Sequence, residues 1–188
     1  MDWFLNTIDK SDATNNDNAY EDFTSTESTD LTPGSSYDLS VYVNTDGNYT
    51  VHAFAWIDWN DDGDFSDAGE EYDLGSKQNS SAGLTSACPY SISVPVDATV
   101  GTTRMRVSAR YNSDPASSCA TGFDGEVEDY SIVVTSSGVS ISYSAASYCT
   151  SGSDPTPTLS NNAGSGAYSS SAGLSINSGS GLIDLSAS

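Results

Sequence analysis

Positive charge is what this sequence most lacks. Five Lys and Arg stand against 26 Asp and Glu in 188 residues, a formal net charge of −21. Nucleic acid and anionic bilayer surfaces are excluded as partners, because no basic patch exists to displace counterions from phosphates. Histidine occurs once, at His52, which removes most proton-shuttling chemistry. No serine sits in a nucleophile elbow or beside an activating triad, so no catalytic residue is expected. No apolar run nears the ~20 residues that cross a bilayer as a helix, and direct membrane insertion is not expected. The opening Met1-Asp2-Trp3-Phe4-Leu5 is neither basic nor long enough for a signal peptide, so a mature or excised fragment is expected. Helical periodicity is missing as well: no segment carries a 3.6-residue apolar stripe.

What remains is aromatic and polar. Eleven Tyr, five Phe and three Trp supply bulk within a hydrophobic content of 36%. Acidic residues with abundant Gly, Ser, Thr and Asn suit a secreted β-protein, although adaptation to high salt gives the same arithmetic. Residues 36–43 alternate Tyr37, Leu39, Val41 and Val43 with polar partners. Over 51–58, His52, Phe54 and Trp56 share one face and Val51, Ala53, Ala55 and Ile57 the other; two apolar faces predict a central strand. Residues 91–94, 103–111 and 127–134 repeat the period of two, with turn signals between. The fold class is all-β, a β-sandwich of jelly-roll or Ig-like kind. Composition breaks near Ser136, beyond which only Asp154 and Asp184 carry charge and serine is dense. The predicted organisation is a β-sandwich over 1–135, a linker over 136–138, and an incomplete Ig-like second sandwich over 139–188. In that tail only four short apolar runs appear (139–143, 166–168, 174–176, 182–185), where a sandwich needs about seven strands.

The sharpest local signal runs from Asp58 to Glu71. Calcium takes 6–8 oxygens at ~2.3–2.6 Å, and a loop with oxygens at alternate positions wraps it. Asp58, Asn60 and Asp62 stand at positions 1, 3 and 5, Gly63 at the sharp turn and Asp64 at position 7. Position 12 is Gly69, so the bidentate carboxylate falls to Glu70 one place later. The expected motif is therefore a strand, a calcium loop and a strand, with Phe65 packing inward. The alternative is an acidic surface turn in a protein acidic throughout. Against it, six carboxylates between 58 and 70 repel one another unless a cation lies among them. Magnesium rarely uses an all-protein cage, and zinc lacks its His and Cys ligands.

Arg104, Arg106 and Arg110 share one face of a single predicted strand, as do Glu126 and Glu128 on another. Antiparallel pairing would fork arginines onto carboxylates. An ion-pair ladder that fixes register is the expected role. A carboxylate-binding arginine site and a Glu126/Glu128 acid/base pair are the functional alternatives, and Glu128 or Asp129 reaching the calcium loop is a further one. Trp56 and Trp59 flank the loop, as core residues or as a sugar-stacking surface. Cys88 and Cys119 both fall in loops of the first domain and are expected to form a disulfide; closing that ~30-residue loop would contribute about 3–4 kcal/mol. Buried reduced thiols are the competing reading. Cys149 then lacks a mate, which is expected beyond residue 188.

Three stretches in order, Ala55–Glu70, Gly101–Val107 and Gly125-Glu-Val-Glu-Asp-Tyr130, resemble the GEVED domain of secreted multidomain proteins of Bacteroidota, over roughly residues 5–135. The resemblance implies a β-sandwich module, usually non-catalytic, found beside peptidases, adhesin-like repeats and type IX secretion sorting signals. Residues Ile141–Thr150 and Ser171–Ser188 are similar to Ig-like repeats of flavobacterial surface adhesins. Asn48-Tyr-Thr50 and Asn79-Ser-Ser81 fit the glycosylation acceptor pattern, which carries little weight in a bacterial setting. The expected function is a non-catalytic, Ca2+-stabilised β-module of a secreted or cell-surface protein, acting as spacer or adhesion unit. The alternative is an accessory glycan- or peptide-binding module of a secreted hydrolase. Expected partners are neighbouring domains of the same long chain, other copies in a fibre, or a surface glycan or protein.

Overall fold

The computed structural model describes residues 2–11, 19–136, 141–159 and 167–188. Its contacts divide the chain into two units, Met1–Ser136 and Ser137–Ser188. Among the described residues every regular element is a strand.

The first unit holds β1 (Asp2–Leu5), β2 (Ile8–Ser11), β3 (Tyr20–Asp22), β4 (Ser28–Leu31), β5 (Ser36–Val43), β6 (Thr50–Ile57), β7 (Glu71–Gln78), β8 (Gly83–Leu84), β9 (Tyr90–Ser93), β10 (Gly101–Tyr111) and β11 (Gly125–Val134). One sheet runs β2–β1–β5, with β8 and β9 both pairing β5. The other runs β3–β11–β10–β6–β7, with β4 also on β11. β3 and β4 lie parallel to β11, and the remaining pairs of that sheet are antiparallel. Alternation decides which side chains meet between the sheets. Leu39, Val41 and Val43 of β5 join Ala53, Ala55 and Ile57 of β6, Met105 and Val107 of β10, and Tyr130 and Ile132 of β11 in one buried cluster. That shared core makes the unit a β-sandwich.

The period-two segments predicted over 36–43, 51–58, 91–94, 103–111 and 127–134 all appear as strands, within one or two residues at each end. β6 is central, hydrogen-bonded to β10 on one side and β7 on the other. β7 is the strand expected after the acidic loop, although its own alternation of Tyr72 and Leu74 with charges is short and breaks at Gly75. Trp59 extends the core past the end of β6: it is buried, and its indole N–H donates to the Tyr72 hydroxyl at 2.8 Å.

The second unit holds β12 (Ile141–Ser142), β13 (Thr158–Leu159), β14 (Ser175–Ile176) and β15 (Ile183–Asp184), paired as two short antiparallel ladders. Three of the four predicted apolar runs meet these strands; residues 139 and 166 and most of the 136–138 linker lie outside the described residues. Ile183 and Leu185 are its buried hydrophobic side chains among the described residues.

Candidate functional site

The acidic loop joins β6 to β7 and is built on two buried carboxylates. Asp58 accepts the N–H groups of Asp62 at 3.2 Å and Gly63 at 3.0 Å. Glu70 accepts the N–H of Trp59 at 2.8 Å and that of Asp67 at 3.3 Å. Thr103 donates its hydroxyl to the Asp58 carbonyl, tying the loop's first residue to β10. The sharp turn falls where the pattern places it: Asp61 and Gly63 have φ of 57° and 92°, the left-handed region that Gly and Asp tolerate.

Each accepting two backbone N–H groups, Asp58 and Glu70 brace the loop. The side chains that converge are Asp62, Asp64 and Asp67, each offering an oxygen within 4.8 Å of the others. This exposed cluster has the donor set of a metal site. Of the five expected ligands, Asp62 and Asp64 lie in it and Asn60 lies at its edge, donating its amide to Asp62 at 3.0 Å and Asp67 at 2.6 Å. Asp58 and Glu70 are not among the three that converge. Asp67 went unnoticed because it fits no alternate-position rule; the signal that finds it is Asn60, whose amide spans both carboxylates.

Burial pushes the Glu70 carboxyl up, and the charges of Asp58 and Asp67 add to the rise against the pull of its two N–H donors. Asp64 shifts the other way, held down by the hydroxyl and N–H of Ser66. A raised carboxyl favours folding below its ordinary value of 4.5, and that contribution is lost as pH rises through the folded-state value. A lowered carboxyl contributes above its ordinary value and loses that as pH falls through the folded one. Without divalent cations, the melting temperature is therefore expected to rise from pH 7 to about pH 5 and to fall at lower pH. The rise should be smaller in Glu70→Gln. Thermal scans in EGTA check this, and an equal rise in both proteins contradicts the assignment.

On the sheet face away from the core, the loop meets the arginines. The Arg106 guanidinium lies 5.8 Å from the Phe65 ring centroid and 5.7 Å from that of Tyr20. Phe65 thus stacks on a cation outside the sandwich instead of packing inward. The expected partners of the arginines also change. β10–β11 register sets Arg106 opposite Asp129, while Glu128 and Glu126 oppose Val107 and Ala109 on the core side. Asp129, 0% exposed, takes a two-pronged bond from Arg106 at 2.6 and 2.7 Å, one from Arg104 at 3.1 Å and the Tyr20 hydroxyl at 2.9 Å. Glu128, 1% exposed, accepts the Tyr130 hydroxyl at 2.8 Å. Arg110 donates to the Asp114 carbonyl and lies over Phe123. The ion-pair anchor is real, but its carboxylate is one residue away from those expected, on the opposite face.

The three cysteines are free, so the expected Cys88–Cys119 bond is absent. Cys88 packs against the core just before β9, while Cys119 is exposed in the β10–β11 loop beside Arg106. Between the acidic loop and that second loop opens a cleft of about 1030 Å³, lined by Trp56, Phe65, Arg104, Ser118 and Cys119 among others.

These features define a class: a β-sandwich module that carries an acidic loop between adjacent strands and one buried arginine–aspartate anchor beneath it. Residues 52–133 match the family model of the GEVED domain, a β-module of multidomain proteins. No curated protein matches the chain. The matched stretch runs from β6 to β11 and leaves out β1 to β5, among them β1, β2 and β5 of the opposite sheet, whose β8 and β9 it includes. No helix among the described residues is long and apolar enough to cross a membrane.

Proposed function

We propose that this chain is a non-catalytic, calcium-braced β-module of a larger secreted or cell-surface protein, working as a structural spacer and adhesion unit. The observation that carries the reading is the convergence of Asp62, Asp64 and Asp67 within 4.8 Å on a loop whose backbone is already tied down by Asp58 and Glu70. Such a loop is preorganised, so a hard divalent cation gains coordination without first ordering the chain. Turning the Asn60 amide about would exchange two donors for one acceptor oxygen and add a further ligand. Bound calcium would cancel the repulsion among the carboxylates and join the ends of β6 and β7, stiffening the module within a longer array. Occurrence of GEVED domains in secreted proteins supports the extracellular setting, where calcium is abundant.

At calcium concentrations about 100 times the dissociation constant, stabilisation by about 2.7 kcal/mol is expected. Scanning calorimetry in calcium and in EGTA checks it. The difference should vanish in Asp62→Asn/Asp67→Asn, whose melting without calcium should match or exceed the wild type. Asp58→Asn should lower both curves, since it removes a brace. Coincident wild-type curves would remove calcium from the mechanism.

The accessory-module alternative gains nothing at Trp59, which is 4% exposed with its indole N–H bonded inward. It offers no face to a sugar.

A further inference from the structure

The loops at the other end of the sandwich have a different chemistry. β6 separates the two ends: it begins at Thr50 and reaches the acidic loop eight residues later, a span of roughly 25 Å. Around Thr50 three turns converge and are locked by backbone bonds. Asn79 donates its N–H to the Tyr49 carbonyl at 3.1 Å, Asn112 to Thr50 at 2.8 Å, and Thr45 to Ser80 at 2.8 Å. The buried Thr45 hydroxyl accepts the Ser80 N–H at 2.9 Å and donates to the Gly47 carbonyl at 2.7 Å. His52 and Asp114 meet at 2.7 Å beneath the third turn.

On this rigid base two aromatic side chains stand out in solvent. Tyr49 is 51% and Tyr111 39% exposed, with ring centroids 5.4 Å apart and planes at 81°. Around them Asn48, Asn79 and Asn112 are exposed, and among the described residues no protein group bonds their side-chain amides. The charges here come close to balance, Asp46, Asp114 and the exposed Asp124, whose carbonyl accepts the Tyr111 N–H, against Lys77 and Arg110, in a chain whose total is −21. Such a patch stands apart from an otherwise acidic surface.

We propose that this cluster binds a neutral saccharide, the Tyr49 and Tyr111 rings receiving the C–H face of a sugar and the asparagine amides bonding its hydroxyls. Rigid tyrosines with adaptable Asn and Ser on converging loops supply contact area at low entropic cost, and polar groups around an apolar platform set orientation. An anionic ligand would meet a slight excess of negative charge here, and a cationic one only a weak pull compared with the acidic loop. A protein partner would ask for about 800 Å² per side with a wide apolar centre, which two half-exposed rings do not provide. The inference does not rest on the calcium reading, since the two loops lie at opposite ends of β6.

Affinity electrophoresis of the full chain through gels containing dextran, a mixed-linkage β-glucan, galactomannan or alginate tests it, with calcium and with EGTA. Retardation is expected in at least one neutral gel and not in alginate, equally in both buffers. Tyr49→Ala and Tyr111→Ala should each weaken it about tenfold, with circular dichroism unchanged, while Tyr49→Phe/Tyr111→Phe retains most of it. Free migration in all three neutral gels, retardation in alginate alone, or equal retardation of Tyr49→Ala/Tyr111→Ala would overturn the assignment. So would loss of retardation in the double Phe variant, which keeps both ring faces.

Discussion

Asp129→Ala is expected to cost the first unit about 3–5 kcal/mol, because it strands a desolvated guanidinium. Asp129 is fully buried, and Arg106 keeps only the Ser118 carbonyl, at 2.8 Å, once the carboxylate is gone. Its remaining donors would face Tyr20 and Phe65, whose rings attract a cation but satisfy no N–H. Arg104 weakens the case less, since half of its side chain is already in water. A fall in melting temperature on the order of 10–20 °C should follow for a unit of this size. Replacing both partners, Arg106→Leu/Asp129→Leu, should restore much of the loss, because an apolar pair of similar volume carries no desolvation penalty. Urea midpoints of the three proteins decide it. If Asp129→Ala costs under about 1 kcal/mol, in the range of exposed pairs, the pair is solvated and anchors nothing.

That anchor shows where reading the sequence succeeds and where it stops. The strands of the sandwich were legible because alternation is a local property: β5, β6 and β10 announce which residues face inward without reference to any neighbour. Pairing is not local. Arg104, Arg106 and Arg110 do share a face, as do Glu126 and Glu128, yet whether those two faces coincide depends on one residue of register, and register puts Asp129 opposite Arg106. The acidic loop followed the same division. Its turn at Gly63 was legible from the calcium-loop spacing. The roles of its carboxylates were not, since Asp58 and Glu70 are drawn to backbone N–H groups, and only folded geometry shows that Asp67 comes back to meet Asp62. The neutral loop cluster escaped notice for a related reason. Tyr49, Asn79 and Tyr111 lie far apart in the chain and meet only where three turns converge.

Gly125→Ala is the substitution from which the sandwich should recover least. Gly125 has φ +156°, and a Cβ there would sit 2.0 Å from the Ala109 carbonyl oxygen and 3.0 Å from both the Ala109 carbonyl carbon and the Arg110 Cα. All three are backbone atoms of the paired strand, so no side-chain rotation relieves the clash; β10 and β11 must part where Arg110 opposes Gly125. Opening that pairing disturbs the register that sets Arg106 on Asp129, so its cost should exceed backbone strain alone, about 1–3 kcal/mol for such a conformation. Gly69→Ala supplies the comparison: φ is +93°, but nothing lies within 4 Å of the added carbon, and strain alone should apply. A loss for Gly125→Ala at least about 2 kcal/mol larger than for Gly69→Ala is expected. Combined with Asp129→Ala, the effects should fall short of additivity, because the first change already loosens the pair that the second removes. Equal losses for the two glycines, or full additivity with Asp129→Ala, would mean that β10 and β11 tolerate separation there and that the arginine anchor does not depend on their register.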